Sequence, residues 1–151
     1  MSSGQLTAAQ PAVRRSQRAT ALVEFALAWP VALLIVLATV EASVWAAEAY
    51  TVRAASLAGA RAGSVAGGGA AVASRVALRA LSAGLLGVAP AVWCPGERSG
   101  PPPVWVCAID LGDAVEVEVG GIAPALVPLA PGMGGLPLHA RVVVPKEQFT
   151  P

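Results

Sequence analysis

The sequence has few of the residues on which catalytic and metal-binding sites depend. It contains one histidine, His139, and two cysteines, Cys94 and Cys107. A histidine-based triad or a zinc site needs several such groups held close together, and this chain cannot supply them alone. The runs "GGGA" and "GMGG" lack the lysine and the Ser/Thr of a phosphate-binding loop. We therefore predict no catalytic residue, no metal and no cofactor, and we expect a protein that is not an enzyme.

Charged residues are also scarce. They make up 13% of the chain, whereas ordinary soluble domains carry about 25%. The net charge is +1, and no basic cluster of the kind that binds nucleic acid stands out. Hydrophobic residues reach 56%, so part of the chain is predicted to avoid water. These values exclude a nucleic-acid partner and point to a lipid bilayer.

The longest uncharged run extends from Phe25 to Val40, between Glu24 and Glu41. With its weakly polar flanks, Ala21 to Trp45, it is long enough to cross a bilayer as a helix. Residues 1–19 hold no acidic residue and three arginines, Arg14, Arg15 and Arg18. Because basic residues favour the cytoplasmic side, the N-terminus is predicted to stay in the cytoplasm. The alternative is a secretory signal peptide, cleaved after the small residues at 47–49.

The helix is predicted to continue outside the membrane to about Ala62, because the sequence there is rich in alanine and lacks proline. Pro30, early in the apolar run, should bend the helix without breaking it. Ala55, Gly59 and Gly63 recur at intervals of four residues. This spacing either forms a smooth face for close helix contact or simply reflects the alanine-rich composition.

After the glycine run, the sequence predicts a second helix and then a sheet. Residues 70–83 are amphipathic, with Arg75 and Arg79 on the polar side. The apolar stripe of this helix comprises Val72, Val76, Leu78, Leu81 and Leu85. Strands are predicted at 104–110, 114–119 and 138–144. The predicted fold class is α+β: a long N-terminal transmembrane, pilin-like helix, a second short helix, and a small antiparallel sheet packed on the long helix.

Polar side chains on the predicted strands have structural explanations. Glu116 and Glu118 alternate with valines in "AVEVEV", which places both on one strand face, predicted to be solvated. His139 shares a strand face with Arg141 and Val143, and we expect it to be a surface or packing residue.

Cys94 and Cys107 flank the short segment "PGERSGPPPVWV". With the predicted membrane orientation both lie outside the cytoplasm, where thiols oxidise. A disulfide over so short a loop would contribute on the order of 3 kcal/mol. We predict this bridge, with two free thiols as the alternative.

Basic residues followed by "ATALVEFAL", and then a long apolar helix ending in "AASLAGARAG", resemble the start of the TadE-like proteins. These are minor pilins or pseudopilins of the tight-adherence (Flp-type) pilus system. The segments "VEVEV", "PLAPGMGGLPL" and "HARVVV" look like the C-terminal part of the family. The resemblance extends from Arg14 to Val144.

The resemblance implies a processing site and an assembly contact. Pilin-type precursors are cut by a prepilin peptidase just before the hydrophobic segment, which leaves glutamate at the fifth mature position. Here the cut would fall between Ala19 and Thr20, and the glutamate would be Glu24. The new α-amino group, with an ordinary pKa of about 8, is largely cationic and could pair with the glutamate of a neighbouring subunit. The sequence has Ala19 where the family usually has glycine.

The sequence thus predicts a cytoplasmic basic leader (1–19), a membrane helix (20–46) that continues outside to about 62, and an extracytoplasmic α+β domain (63–151). The resemblance implies a single-pass protein of the bacterial cytoplasmic membrane that takes part in assembling a Flp-type pilus or a related secretion apparatus, and that can be incorporated in the pilus. Its partners would be other pilus subunits and assembly proteins, with prepilin peptidase as the processing enzyme. The alternative function is a membrane-tethered or secreted binding module unrelated to pili.

Overall fold

A computed structural model describes the backbone of residues 10–85, 87–125 and 135–147, and side chains within these ranges from residue 22 onward. The first nine residues of the predicted leader, and most of the loop predicted before the last strand, lie outside the described residues. The elements in chain order are α1 (Gln10–Ser64), α2 (Ala70–Gly84), β1 (Ala91–Val92), β2 (Val104–Asp110), β3 (Ala114–Ala123) and β4 (Leu136–Pro145). The α+β fold class is confirmed.

The chain divides into two compact units, residues 1–40 and 41–151. The described part of the first unit is helical from Gln10, earlier than the predicted start of the membrane helix at residue 20. Alanine, arginine and glutamine are good helix formers, which accounts for helix in the basic segment. Pro30 lies inside the helix and does not end it. Between residues 22 and 40 every side chain is exposed except that of Leu37, which is half-buried.

In the second unit, the last part of α1 and the whole of α2 form an antiparallel pair. A Cβ atom placed on Gly59 would lie 2.7 Å from the backbone oxygen of Ala73 and 2.9 Å from Cβ of Ala77. One placed on Gly84 would lie 2.6 Å from the side chain of Thr51. The helices therefore approach too closely for larger side chains, and the close-contact interpretation of the small residues holds within this chain.

This close approach corrects the predicted stripe of α2. The helix buries Ala73, Ala77 and Leu81, whereas Val72 and Val76 are only half-buried. The cause is the glycine face of α1, which leaves room for a methyl group between the two helices but not for a branched side chain. A prediction from hydrophobicity alone buries Val72 and Val76, because it takes no account of the space that a partner helix leaves.

The sheet has four strands in the order β1-β2-β3-β4. The β2–β3 and β3–β4 pairs are antiparallel, as predicted, but the two-residue strand β1 was not predicted and pairs with β2 in parallel. The sheet is therefore mixed. A Cβ on Gly63 of α1 would lie 2.9 Å from Cγ1 of Val115, which shows that this side of the sheet packs on the helices. The core there includes Val104, Val106, Val115, Val117 and Val119, none of them exposed.

Candidate functional site

Glu24 lies on a helix surface that is otherwise apolar. Its neighbours Leu22, Phe25 and Leu27 are 70%, 65% and 70% exposed, and Glu24 is exposed as well. Phe25 and Trp29, one helical turn apart, stack with ring centroids 6.1 Å apart. Among the described residues, none forms an ion pair with Glu24. The carboxylate thus lies on an apolar helix surface that suits a bilayer or contact with other apolar helices. In the described part of its own chain, no cationic side chain pairs with it.

The helix that carries Glu24 is long and apolar enough to cross a membrane. Its candidate span covers Leu22–Ser64, with a mean hydropathy of 2.2 in the most apolar window. None of that window is buried within the protein. Within the described ranges this is the one helix of its kind, and its position near the N-terminus fits a single-pass membrane anchor.

The predicted processing residues, Ala19 and Thr20, lie within the helical backbone of α1, and their side chains lie outside the described residues. Thr20 precedes Glu24 by four positions, about one turn of helix. The residue that would carry the new α-amino group, Thr20, therefore lies on the same helix as Glu24, one turn before it. Cleavage between Ala19 and Thr20 stays a prediction.

Cys94 and Cys107 form a disulfide, with Cα atoms 4.8 Å apart. The short strand β1 brings them together, because Val92 pairs with Val106 and Trp93 donates a backbone hydrogen bond to the Val106 carbonyl at 3.1 Å. Sequence reasoning predicted this bridge without the strand that positions it. Beside it, the rings of Trp93 and Trp105 meet edge to face at 5.3 Å.

Two ion pairs cover the face of the sheet away from the helices. Arg141 makes a two-pronged contact with Glu116, through Nε to Oε1 at 2.7 Å and Nη2 to Oε2 at 2.8 Å. His139 Nε2 lies 2.9 Å from Oε1 of Glu118. The hydrogen bond to Glu116 raises the pKa of Arg141 above its ordinary value. These contacts join neighbouring strands of the sheet.

The predicted solvated face for Glu116 is wrong in one respect. Glu116 does point away from the helices, but it is only 7% exposed. The alternation gave its direction, whereas its burial depends on Arg141 from β4, which lies across it. His139 is exposed, as expected of a surface residue, and its contact with Glu118 depends on the strand register, which no local pattern indicates.

A third ion pair joins Asp110, at the end of β2, to Lys146, which follows β4. Lys146 Nζ donates to both carboxylate oxygens of Asp110, at 2.7 and 2.8 Å, and the backbone N–H of Gly112 donates to Oδ1 at 2.9 Å. These bonds, the lysine contact first, lower the pKa of Asp110. No group of three or more His, Cys, Asp or Glu side chains in the described ranges is arranged to hold a metal ion.

The family model of the TadE-like proteins matches residues 19–61 of this chain. The predicted resemblance is therefore confirmed over the segment that contains Glu24 and the apolar helix. No curated protein and no solved structure matches the chain. TadE-like proteins are a structural family associated with Tad pili. Together with the apolar helix, the match supports a membrane protein that associates with the components of such a pilus.

Proposed function

We propose that this protein is a membrane-anchored minor pilin or pseudopilin that is incorporated in, or primes, a Flp-type (tight-adherence) pilus or a related secretion apparatus. One observation carries the proposal. The TadE-like match at residues 19–61 includes Glu24, which lies on an exposed apolar helix and has no ion-pair partner among the residues that the structure describes. An ionisable residue within a membrane helix is costly, roughly 2.5–3.5 kcal/mol at the centre on insertion scales, and such a residue is a functional-site hypothesis by default; Glu24 lies near the start of the span.

In this proposal the partner of Glu24 is created by processing. Cleavage between Ala19 and Thr20 by a prepilin peptidase leaves an α-amino group on Thr20. The amine of one subunit pairs with Glu24 of its neighbour, and this contact offsets the cost of holding the carboxylate in an apolar environment. Because this pair joins two subunits, the charge favours assembly over the isolated, membrane-inserted chain.

The orientation follows from the arginines that precede the helix. Arg14, Arg15 and Arg18 hold the N-terminus in the cytoplasm, and the domain after the helix lies outside. The disulfide between Cys94 and Cys107 agrees with this side of the membrane, because disulfides persist in oxidising compartments. A reporter enzyme that is active only outside the cytoplasm is expected to be active when fused at Gly68. Activity of a reporter that works only in the cytoplasm, fused at the same position, would contradict the orientation.

The assembly contact can be tested with isosteric substitutions at the two ends of the apolar run. Glu24→Gln keeps the size of the side chain and removes the charge that an amine would need. Glu41→Gln makes the same change at the other end of the run and serves as the control. Each variant is expressed at matched membrane levels, and the other pilus subunits are recovered with it by affinity purification.

We expect Glu24→Gln to insert normally and to recover much less of the other subunits, while Glu41→Gln recovers as much as the wild type. Substituting Arg14 and Arg15 should disturb orientation instead of subunit contacts. Equal recovery with Glu24→Gln and wild type would show that Glu24 is an ordinary residue at the start of a helix.

A further inference from the structure

The strand β4 forms one edge of the sheet, with β3 on one side and no described strand on the other. Lys146 donates its backbone hydrogen bond to Asp113, directly opposite it in the β3–β4 register. In an antiparallel pair such bonded positions alternate with unbonded ones. Residues 138, 140, 142 and 144 therefore turn their backbone groups toward β3, and residues 137, 139, 141, 143 and 145 turn theirs outward.

Proline positions agree with this assignment. Pro137 and Pro145 are both outward positions, where the missing N–H removes no bond to β3. Between them, His139, Arg141 and Val143 present outward N–H and carbonyl groups. The open edge is therefore limited at both ends by a proline, and its length suits a short extended segment.

A groove of about 440 Å³ runs along this edge. Four consecutive residues of β4, His139 to Val142, line one wall, and Ala49 and Arg53 of α1 line the other. Consecutive strand residues point to opposite faces, so a groove that touches all four lies beside the strand and not above one face. It occupies the side of β4 on which a further strand would pair.

The charged side chains around the groove indicate which kind of segment would bind there. Arg141 and His139 are already paired with Glu116 and Glu118, but Arg53 is exposed and forms no ion pair with any described residue. β4 has no acidic residue. Two copies joined edge to edge through β4 would offer Arg53 no free carboxylate, because β4 has no acidic residue and Glu116 and Glu118 are already paired. The groove therefore favours a different chain that carries an acidic side chain.

We infer that the β4 edge is a docking site for an extended segment of a partner protein, which adds a fifth strand and places a carboxylate against Arg53. Backbone hydrogen bonds to positions 139, 141 and 143 supply the pairing, as in other cases of strand addition. The ion pair with Arg53 selects the segment. This inference concerns the sheet alone and stands whether or not Glu24 mediates assembly.

The test uses the full chain in detergent micelles and two acetylated heptapeptides, Thr-Val-Thr-Glu-Thr-Val-Thr and its counterpart with central lysine. Binding is measured by titration, and amide hydrogen exchange locates it. We expect the glutamate peptide to slow exchange at positions 139, 141 and 143, with little change at 142 and 144. An exposed ion pair changes binding by up to about fivefold, so replacing attraction by repulsion should separate the peptides by roughly threefold to tenfold.

Two variants make the result specific. Arg53→Glu should reverse the preference between the peptides, whereas Arg61→Glu, an exposed arginine of α1 away from the groove, should leave it unchanged. Val143→Pro removes one outward N–H and should weaken binding of the glutamate peptide without lowering the thermal midpoint.

Three outcomes would each overturn the inference: no protection from exchange at the β4 edge, equal binding of both peptides, or protection that depends only on protein concentration. The last outcome would assign the edge to self-association.

Discussion

Replacing Gly59 by valine should destabilise the packed domain, although intrinsic propensity predicts the opposite. Valine is a better helix former than glycine by a few tenths of a kcal/mol. The structure, however, allows no Cβ at this position without a shift, because one would lie 2.7 Å from the backbone oxygen of Ala73 and 2.9 Å from Cβ of Ala77. Neither atom can rotate away as the end of a flexible side chain could, so the helices must separate.

Overpacking of this kind typically costs about 1–3 kcal/mol. For a domain of this size, such a loss corresponds to a lowering of the thermal midpoint by at least about 4 °C. Ala54→Val is the matched control, since Ala54 is exposed on the same helix and valine there costs only its propensity, about 0.6 kcal/mol.

The assay is thermal unfolding of the full chain in detergent micelles, followed by near-ultraviolet circular dichroism. The edge-to-face pair of Trp93 and Trp105 reports on the sheet. Gly59→Val should unfold at a lower temperature than Ala54→Val. If Gly59→Val were as stable as Ala54→Val or more so, the close approach of α1 and α2 would be refuted, and the recurring small residues would reflect composition alone.

Two further predictions concern the sheet. Replacing both Cys94 and Cys107 by serine should lower the free energy of unfolding by about 3 kcal/mol, measured by chemical denaturation, because the loop they close is short; an unchanged free energy would contradict the bridge. The pKa of Asp110 is lowered in the folded protein, so its contribution to stability is present above its ordinary pKa and is lost as the pH falls through the lower folded value. Lys146→Met should therefore flatten the pH dependence of the thermal midpoint in the acid range, and an identical acid profile would show that the contact with Asp110 contributes nothing.

The elements with strong local patterns could be predicted from the sequence. The glycine run and the apolar periodicity that follows it predict a second helix at 70–83, and the helix extends over Ala70–Gly84. In β3 the valines of "VEVEV" face the core, as alternation requires. In each case the signal lies within the element itself.

What could not be predicted depends on contacts between distant segments. β1 has only two residues and no pattern of its own, and it exists as a strand because Ala91 and Val92 meet Trp105 and Val106. The burial of Glu116 likewise depends on Arg141, which is far away in the sequence and near only in the register of the folded sheet. Composition and periodicity carry no information about such pairings.

Of the candidate functional features, one could be predicted from the sequence and one could not. Glu24 could be identified because a carboxylate among apolar residues conflicts with its surroundings, and the family match includes it. The groove beside β4 could not be identified, since it is formed by Arg53 of a helix and by an edge strand whose open side depends on strand order.

The central claim is that processing creates the charge partner of Glu24. The mass of the mature chain, purified from membranes of cells that express the whole pilus system, tests it most directly. The account predicts a polypeptide that begins at Thr20, with a free α-amino group. A chain that retains its leader through Arg18 and Ala19, or one that begins at Tyr50 after signal-peptide cleavage, would contradict it.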